Sequence, residues 1–252
     1  MRLGSNPSHG YSPRITATDY TDLVHETGCR VRVTAHGKRP RPTLSRPIVI
    51  MVSDRRREPD RLLERVSIAA RAGVSIVQLR ERELEDADLL ALAKAVTSET
   101  GKTETRTVVN DRLDIALIAG ADGVHLPGYA PGCRRVRRAA PTGFLIGRSV
   151  HSLQEARAVE AEGGCDYLVF GTVFPSVSKP AGHTIAGVSA LAEVCAAVTL
   201  PVVAIGGITL ARLPDVVRAG AAGIAAIDLF VTAREQQMIE RLREIRLTFS
   251  AS

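Results

Sequence analysis

Gly147-Arg148-Ser149-Val150-His151-Ser152 closes one apolar run, and a helical segment carries the chain on to Asp166-Tyr167-Leu168-Val169-Phe170-Gly171-Thr172 and then Ser178-Lys179. Two short runs of strand type therefore flank one amphipathic helix, and each run stops at side chains that can do chemistry. In a closed parallel barrel the carboxyl ends of the strands share one mouth, so Ser149, His151, Thr172 and Lys179 are expected to reach a common substrate.

Outward from this unit the same texture repeats. Pro47–Ser53 is continuously apolar, as expected of a strand buried on both faces. Similar runs follow at Val74–Leu79, Thr107–Val109, Gly123–Leu126, Phe144–Ser149, Tyr167–Gly171, Pro201–Ile205 and Gly223–Ile227, which makes eight. Helical patterns separate them at Asp60–Ala72, Asp86–Thr97, Ser152–Glu162, Val188–Ala197 and Leu210–Ala219. Asp60, Ser152 and Thr209 stand where N-caps are wanted, and Gly73, Gly163 and Gly220 where a left-handed C-cap is wanted. Eight even repeats predict an α/β chain folded as a single (β/α)8 TIM barrel over residues 47–252. A doubly wound open sheet is the alternative, but no Gly-x-Gly-x-x-Gly follows the first strand.

Residues 1–46 read differently. They hold a net +5 of the chain's +6, are rich in Ser, Thr, Pro and Gly, and show little periodicity, so a largely disordered N-terminal extension is expected. A nucleic-acid arm or an organelle transit segment is the competing reading of the extension. No run of eighteen apolar residues and no apolar stretch after Met1 is present, so neither a membrane span nor a secretory signal is expected. The four cysteines are far apart with no Cys-x-x-Cys, which points to reduced thiols in a cytoplasm rather than disulfides or zinc. With 4% aromatic residues and no tryptophan, a base-stacking surface is disfavoured and no nucleic-acid partner is expected. Arg134, Arg135, Arg137 and Arg138 read as the solvated face of a helix. A homo-oligomer is compatible with the sequence.

Gly206-Gly207 after the seventh strand lets backbone N–H groups approach an anion with no Cβ in the way, and the eighth strand brings Ile227 and Asp228 alongside. Loops seven and eight are the usual phosphate position of this fold. Asp228 would repel a phosphate dianion if it pointed inward, so either its carboxylate turns away or the site is a weaker one.

Five segments, in order, resemble the thiamin phosphate synthase/TenI superfamily: Gln78-Leu79-Arg80-Glu81-Arg82, Val109–Leu117, Gly120–Leu126, Gly147–Lys179 and Ala204–Ile208. The resemblance implies one of two activities. The synthase joins a pyrimidine pyrophosphate to a thiazole phosphate with Mg2+. The TenI branch is similar to a thiazole tautomerase, which aromatises a carboxythiazole phosphate by moving a proton and needs no cofactor.

Synthases usually carry a lysine where Arg82 stands, and they hold Mg2+ with two aspartates. Asp111 matches the first, whereas the loop Leu126–Pro131 offers no second carboxylate. Because Mg2+ with pyrophosphate normally calls for more than one carboxylate, the tautomerase is the leading expectation. His151 then moves the proton, Arg80 and Arg82 bind the ring carboxylate, and Gly206, Gly207 and Ile227 hold the phosphate. Under the synthase alternative Asp111 holds Mg2+, while Arg80, Arg82 and Lys179 neutralise the leaving pyrophosphate. Gln78, Asn110 and Ser149 add hydrogen bonds. A thiazole-phosphate-binding barrel without turnover is the third reading. His125 is expected to pack at the end of its strand, and His183 to lie in a loop.

Overall fold

The structure is a computed structural model describing residues 44–57, 59–176, 184–231 and 233–251. The expectation for residues 1–43, and those for Lys179 and His183, fall outside the described residues.

Eight parallel strands close into a barrel in chain order: β1 Ile48–Val52, β2 Ile76–Leu79, β3 Arg106–Asn110, β4 Gly123–Leu126, β5 Leu145–Val150, β6 Tyr167–Gly171, β7 Val202–Ile205 and β8 Gly223–Ala226. β1 pairs β8 in the register Ile48↔Gly223, which shuts the sheet without a free edge. A shell of helices surrounds it: α1 Leu62–Ala72, α2 Asp86–Thr100, α3 Leu113–Ile118, α4 Cys133–Ala139, α5 Leu153–Glu162, α6 Gly187–Ala197, α7 Leu213–Arg218, α8 Asp228–Val231 and α9 Glu235–Ser250.

Strand periodicity divides the core in two. Ile48, Ile50 and Val52 of β1 join Ile76, Val108, Leu145, Tyr167, Val169 and Val203 in one cluster inside the barrel. Val49 and Met51, on the opposite parity, join the larger cluster between sheet and helices. Because both faces are buried, the strands read as unbroken apolar runs rather than alternating ones.

Of the expected caps, Ser152 performs as one, its hydroxyl accepting from the Glu155 N–H at 3.1 Å. Asp60 instead lies within a 3-10 turn, and Thr209 makes no side-chain capping bond. Gly73 is a left-handed C-cap; Gly163 ends its helix with positive φ but extended ψ, and Gly220, with φ of 85°, follows the C-cap Ala219. Helices α3, α8 and α9 lie outside the segments expected to be helical, whereas α4 coincides with the arginine run read as a helix. The first two span four to six residues, too short for a 3.6-residue period to stand out. In α9 only Met238, Leu242 and Ile245 are buried, a narrow stripe on a highly charged helix. The arginines of α4 are not uniformly solvated: Arg137 reaches under the barrel to Asp166 (2.5 Å) and the Phe144 carbonyl (2.5 Å). The described thiols Cys133, Cys165 and Cys195 are free. Among the described residues no helix is long and apolar enough to cross a membrane.

Candidate active site at the barrel mouth

The inward parity that buries Ile76, Val108 and Leu145 continues upward through each strand to polar side chains. On β2 it reaches Gln78 and then Arg80. On β3 it reaches Asn110, on β4 His125, and on β5 Ser149. Register pairs Asn110 with His125 and His125 with Gly147, so these residues form one polar layer over the apolar barrel interior. Above it lies a cavity of about 540 Å3, lined by Gln78, Arg80, Arg82, Asn110, Ser149, His151, Thr172, Gly206, Gly207, Ile227 and Asp228. Eleven expected site residues thus meet in one space. Asp111 is not in the lining; it stands at the rim, where the Tyr129 hydroxyl donates to its Oδ2 at 2.7 Å.

Within the layer, Gln78 Nε2 donates to Asn110 Oδ1 at 3.1 Å, which fixes both amides. His125 Nε2 lies 2.8 Å from Ser149 Oγ, while its Nδ1 is buried without a partner. Burial, reinforced by the charges of Arg148 and Arg80, pushes the His125 pKa down to about 3, so the ring is neutral imidazole near pH 7. The Tyr167 ring lies beneath it with centroids 5.9 Å apart, and burial pushes that phenol's pKa well up. His125 was expected to pack at its strand end; it does, and it also grips the hydroxyl that faces the cavity.

One wall of the cavity is cationic. Arg56, Arg80 and Arg82 all line it, and the pKa of half-buried Arg80 is lowered by burial and then by repulsion from Arg82 and Arg56. Buried Asp54 holds Arg56 through Nε at 2.9 Å. Behind this wall Glu81 is buried, accepts from the Arg55 N–H at 3.0 Å, and is pushed above the usual carboxylate range by desolvation. It ties the loop after β1 to the loop after β2.

A second wall is backbone. Gly206 and Gly207 have φ of 100° and 62°, and a Cβ on Gly207 would lie 2.3 Å from the Pro175 carbonyl oxygen. Arg212, stacked 4.7 Å from the Phe174 ring centroid, donates to the Gly207 carbonyl at 2.6 Å and steadies the turn. The Asp228 carboxylate is ion-paired with Arg57, which answers the charge conflict at this wall. His151 is exposed at the rim, where its Nδ1 meets the Gly171 carbonyl and its own N–H donates to Glu155 Oε2 at 2.6 Å.

Asp54, Arg56, Glu83, Tyr129 and Ser176 line the cavity without having been singled out in the sequence. Counting by twos from Ile48 through Ile50 and Val52 would have led to Asp54. The others stand on loops, where no period operates.

Among the described residues no three His, Cys, Asp or Glu side chains group as a ready-made metal cage. The expectation that Mg2+ with pyrophosphate calls for more than one carboxylate is too strict: an ion that travels with a phosphate substrate is held by one or two, so Asp111 at the cavity rim fits a substrate-borne ion but not a resident one.

Comparison with known proteins agrees with this geometry. The family model described as thiamine monophosphate synthase matches residues 49–230. The chain is 45% identical over 164 residues to a thiamine-phosphate synthase of Methanoculleus marisnigri, covering 65% of this chain and 77% of that one. It is 41% identical over 173 residues to the thiamine-phosphate synthase of Methanocella arvoryzae, covering 69% and 80%. The solved thiamine phosphate pyrophosphorylase of Pyrococcus furiosus superposes with a TM-score of 0.70 at 30% identity, covering 82% of this chain and 96% of that one. The first two relatives carry the synthase name, which supports the alternative drawn from the motifs over the leading tautomerase expectation. A closed barrel with an arginine wall, a glycine wall and a polar floor, matched over most of its length, belongs to the thiamine monophosphate synthase family of thiamine biosynthesis.

Proposed function

We propose that the protein is a thiamine phosphate synthase, joining hydroxymethylpyrimidine pyrophosphate to thiazole phosphate with release of pyrophosphate. The observation that carries the reading is the wall of Arg56, Arg80 and Arg82, in which Arg80 is set against the charges of its two neighbours while Asp54 holds Arg56. A pyrophosphate matches that wall better than a single ring carboxylate does.

Each part of the site then has a task. The three guanidiniums, with Lys179 from the sequence motif, take up the charge that develops on the departing pyrophosphate. Asp111 would hold Mg2+, which supplies further neutralisation of the pyrophosphate oxygens when bound. The linked amides of Gln78 and Asn110 present a fixed donor–acceptor edge to the pyrimidine. Ser149, held by neutral His125, adds a hydroxyl beside them. Gly206, Gly207 and the Ile227 backbone cradle the thiazole phosphate, which fixes the position of the nucleophile in the same cavity as the leaving group. The apolar surfaces of Val169, Ile205 and Ala225 line the same cavity and keep water from competing.

One observation favours the tautomerase as second reading: the loop after β4 carries Tyr129 and no carboxylate, and His151, its Nδ1 on the Gly171 carbonyl, lines the cavity at the rim. A single assay separates the two. Full-length protein given both synthase substrates with Mg2+ should form thiamine phosphate, and Arg80→Gln should lower kcat/KM about 100-fold or more. No product, together with aromatisation of carboxythiazole phosphate that disappears in His151→Ala, would replace the synthase by the tautomerase.

A further inference from the structure

The contact between Tyr129 and Asp111 falls on the one carboxylate that the synthase reading assigns to Mg2+, and the inference below rests on that reading. Asp111 is the only non-glycine with positive φ among the described residues, at 66°, a conformation aspartate tolerates better than most side chains. Its N–H donates to the His125 carbonyl at 2.9 Å, so the backbone that aims the carboxylate is anchored to β4. Onto Oδ2 the Tyr129 hydroxyl donates at 2.7 Å.

That approach is built and not incidental. Arg148, rising from β5, donates to the carbonyls of Gly128 (2.7 Å), Ala130 (3.0 Å) and Pro131 (2.9 Å), gripping the loop on both sides of Tyr129. The tyrosine itself is 69% exposed, so its ring can leave Asp111 for solvent without disturbing the core. The loop backbone is thus fixed while the side chain has a place to go.

From these contacts we infer that Tyr129 is a latch on Asp111: its phenol holds Oδ2 in the empty site, and a Mg2+ that takes that oxygen has to displace it. Latched and Oδ2-bound states then exclude each other. A hard cation has to replace a charge-assisted hydrogen bond as well as lose water, so the latch weakens Mg2+ binding in either form, and the ion that arrives with pyrophosphate, which brings phosphate ligands besides Asp111, overcomes it. Departure of the ion with the product restores the latch.

The chain contains no tryptophan and four tyrosines, so tyrosine emission can be read directly. A phenol hydrogen-bonded to a carboxylate is quenched, and displacement should brighten it. The test titrates full-length protein with Mg2+, alone and with inorganic pyrophosphate, by calorimetry and by tyrosine emission. Tyr129→Phe should bind Mg2+ about tenfold more tightly than the parent in both titrations, the loss of one charge-assisted hydrogen bond. Emission should rise on saturation of the parent and stay flat in Tyr129→Phe, and Asp111→Asn should weaken metal binding in either background. Equal affinities for parent and Tyr129→Phe, with Asp111→Asn still weakened, would overturn the latch and leave the synthase reading standing. Metal and pyrophosphate binding indifferent to Asp111→Asn would remove the metal role of Asp111 itself, and the latch with it.

Discussion

At the scale of the residue, His125 shows how a side chain's chemistry is set by what surrounds it. An isolated imidazole titrates near neutrality and reads as an acid–base candidate. Inside the barrel it is desolvated and faces the fields of Arg148 and Arg80, so its protonated form is expelled. The consequence for stability has a definite sign. Between the ordinary value of 6.5 and the native value of about 3, the unfolded chain binds a proton here that the native chain does not. Stability therefore holds above about pH 6.5 and is lost progressively as pH falls toward 3. Urea midpoints at about pH 7 and about pH 5 should fall steeply for the parent and more gently for His125→Asn, in which nothing titrates at this position. Parallel losses in the two proteins would show that other groups carry the acid sensitivity.

At the scale of the element, the turn after β7 is the part most dependent on its exact residues. Gly206 and Gly207 both occupy the left-handed half of backbone space, and Arg212 fastens the turn from outside. Gly207→Ala forces a Cβ toward the Pro175 carbonyl and strains φ, so the backbone must withdraw from the cavity. KM for the thiazole phosphate should rise about tenfold or more with kcat changed far less, because binding in ground and transition states is lost alike. An unchanged KM would place the phosphate elsewhere. The Gly-Gly signal was legible in the sequence because glycine at a strand exit has few other uses. The arginine wall was legible only in part: Arg80 lies on the inward parity of β2, whereas Arg56 comes from the loop after β1, where no periodicity marks direction.

At the scale of the whole molecule, barrel closure is the step on which the site depends, since one cavity exists only when β1 meets β8. Gly223 makes the seam: a Cβ there would lie 1.9 Å from the Ile48 carbonyl oxygen. Gly223→Ala should lower unfolding free energy by about 3 kcal/mol, read by denaturant titration. Gly128→Ala, with no atom within 4 Å of its Cβ, should be close to neutral. Similar losses in both variants would contradict a specific role for the seam.

The amino-acid sequence by itself determined the barrel, because a strand buried on both faces must be apolar throughout and eight such runs leave few other closed arrangements. It also marked the strand exits whose residues line the cavity, and through its motifs the family. Only the tertiary structure decided which neighbours each group meets. That Asp228 is neutralised by Arg57, that Ser149 is held by a neutral imidazole, and that Asp111 is met by Tyr129 are contacts between loops and strands distant in the chain. Loop side chains carry no period, and burial, which sets their charge, is a property of the folded whole.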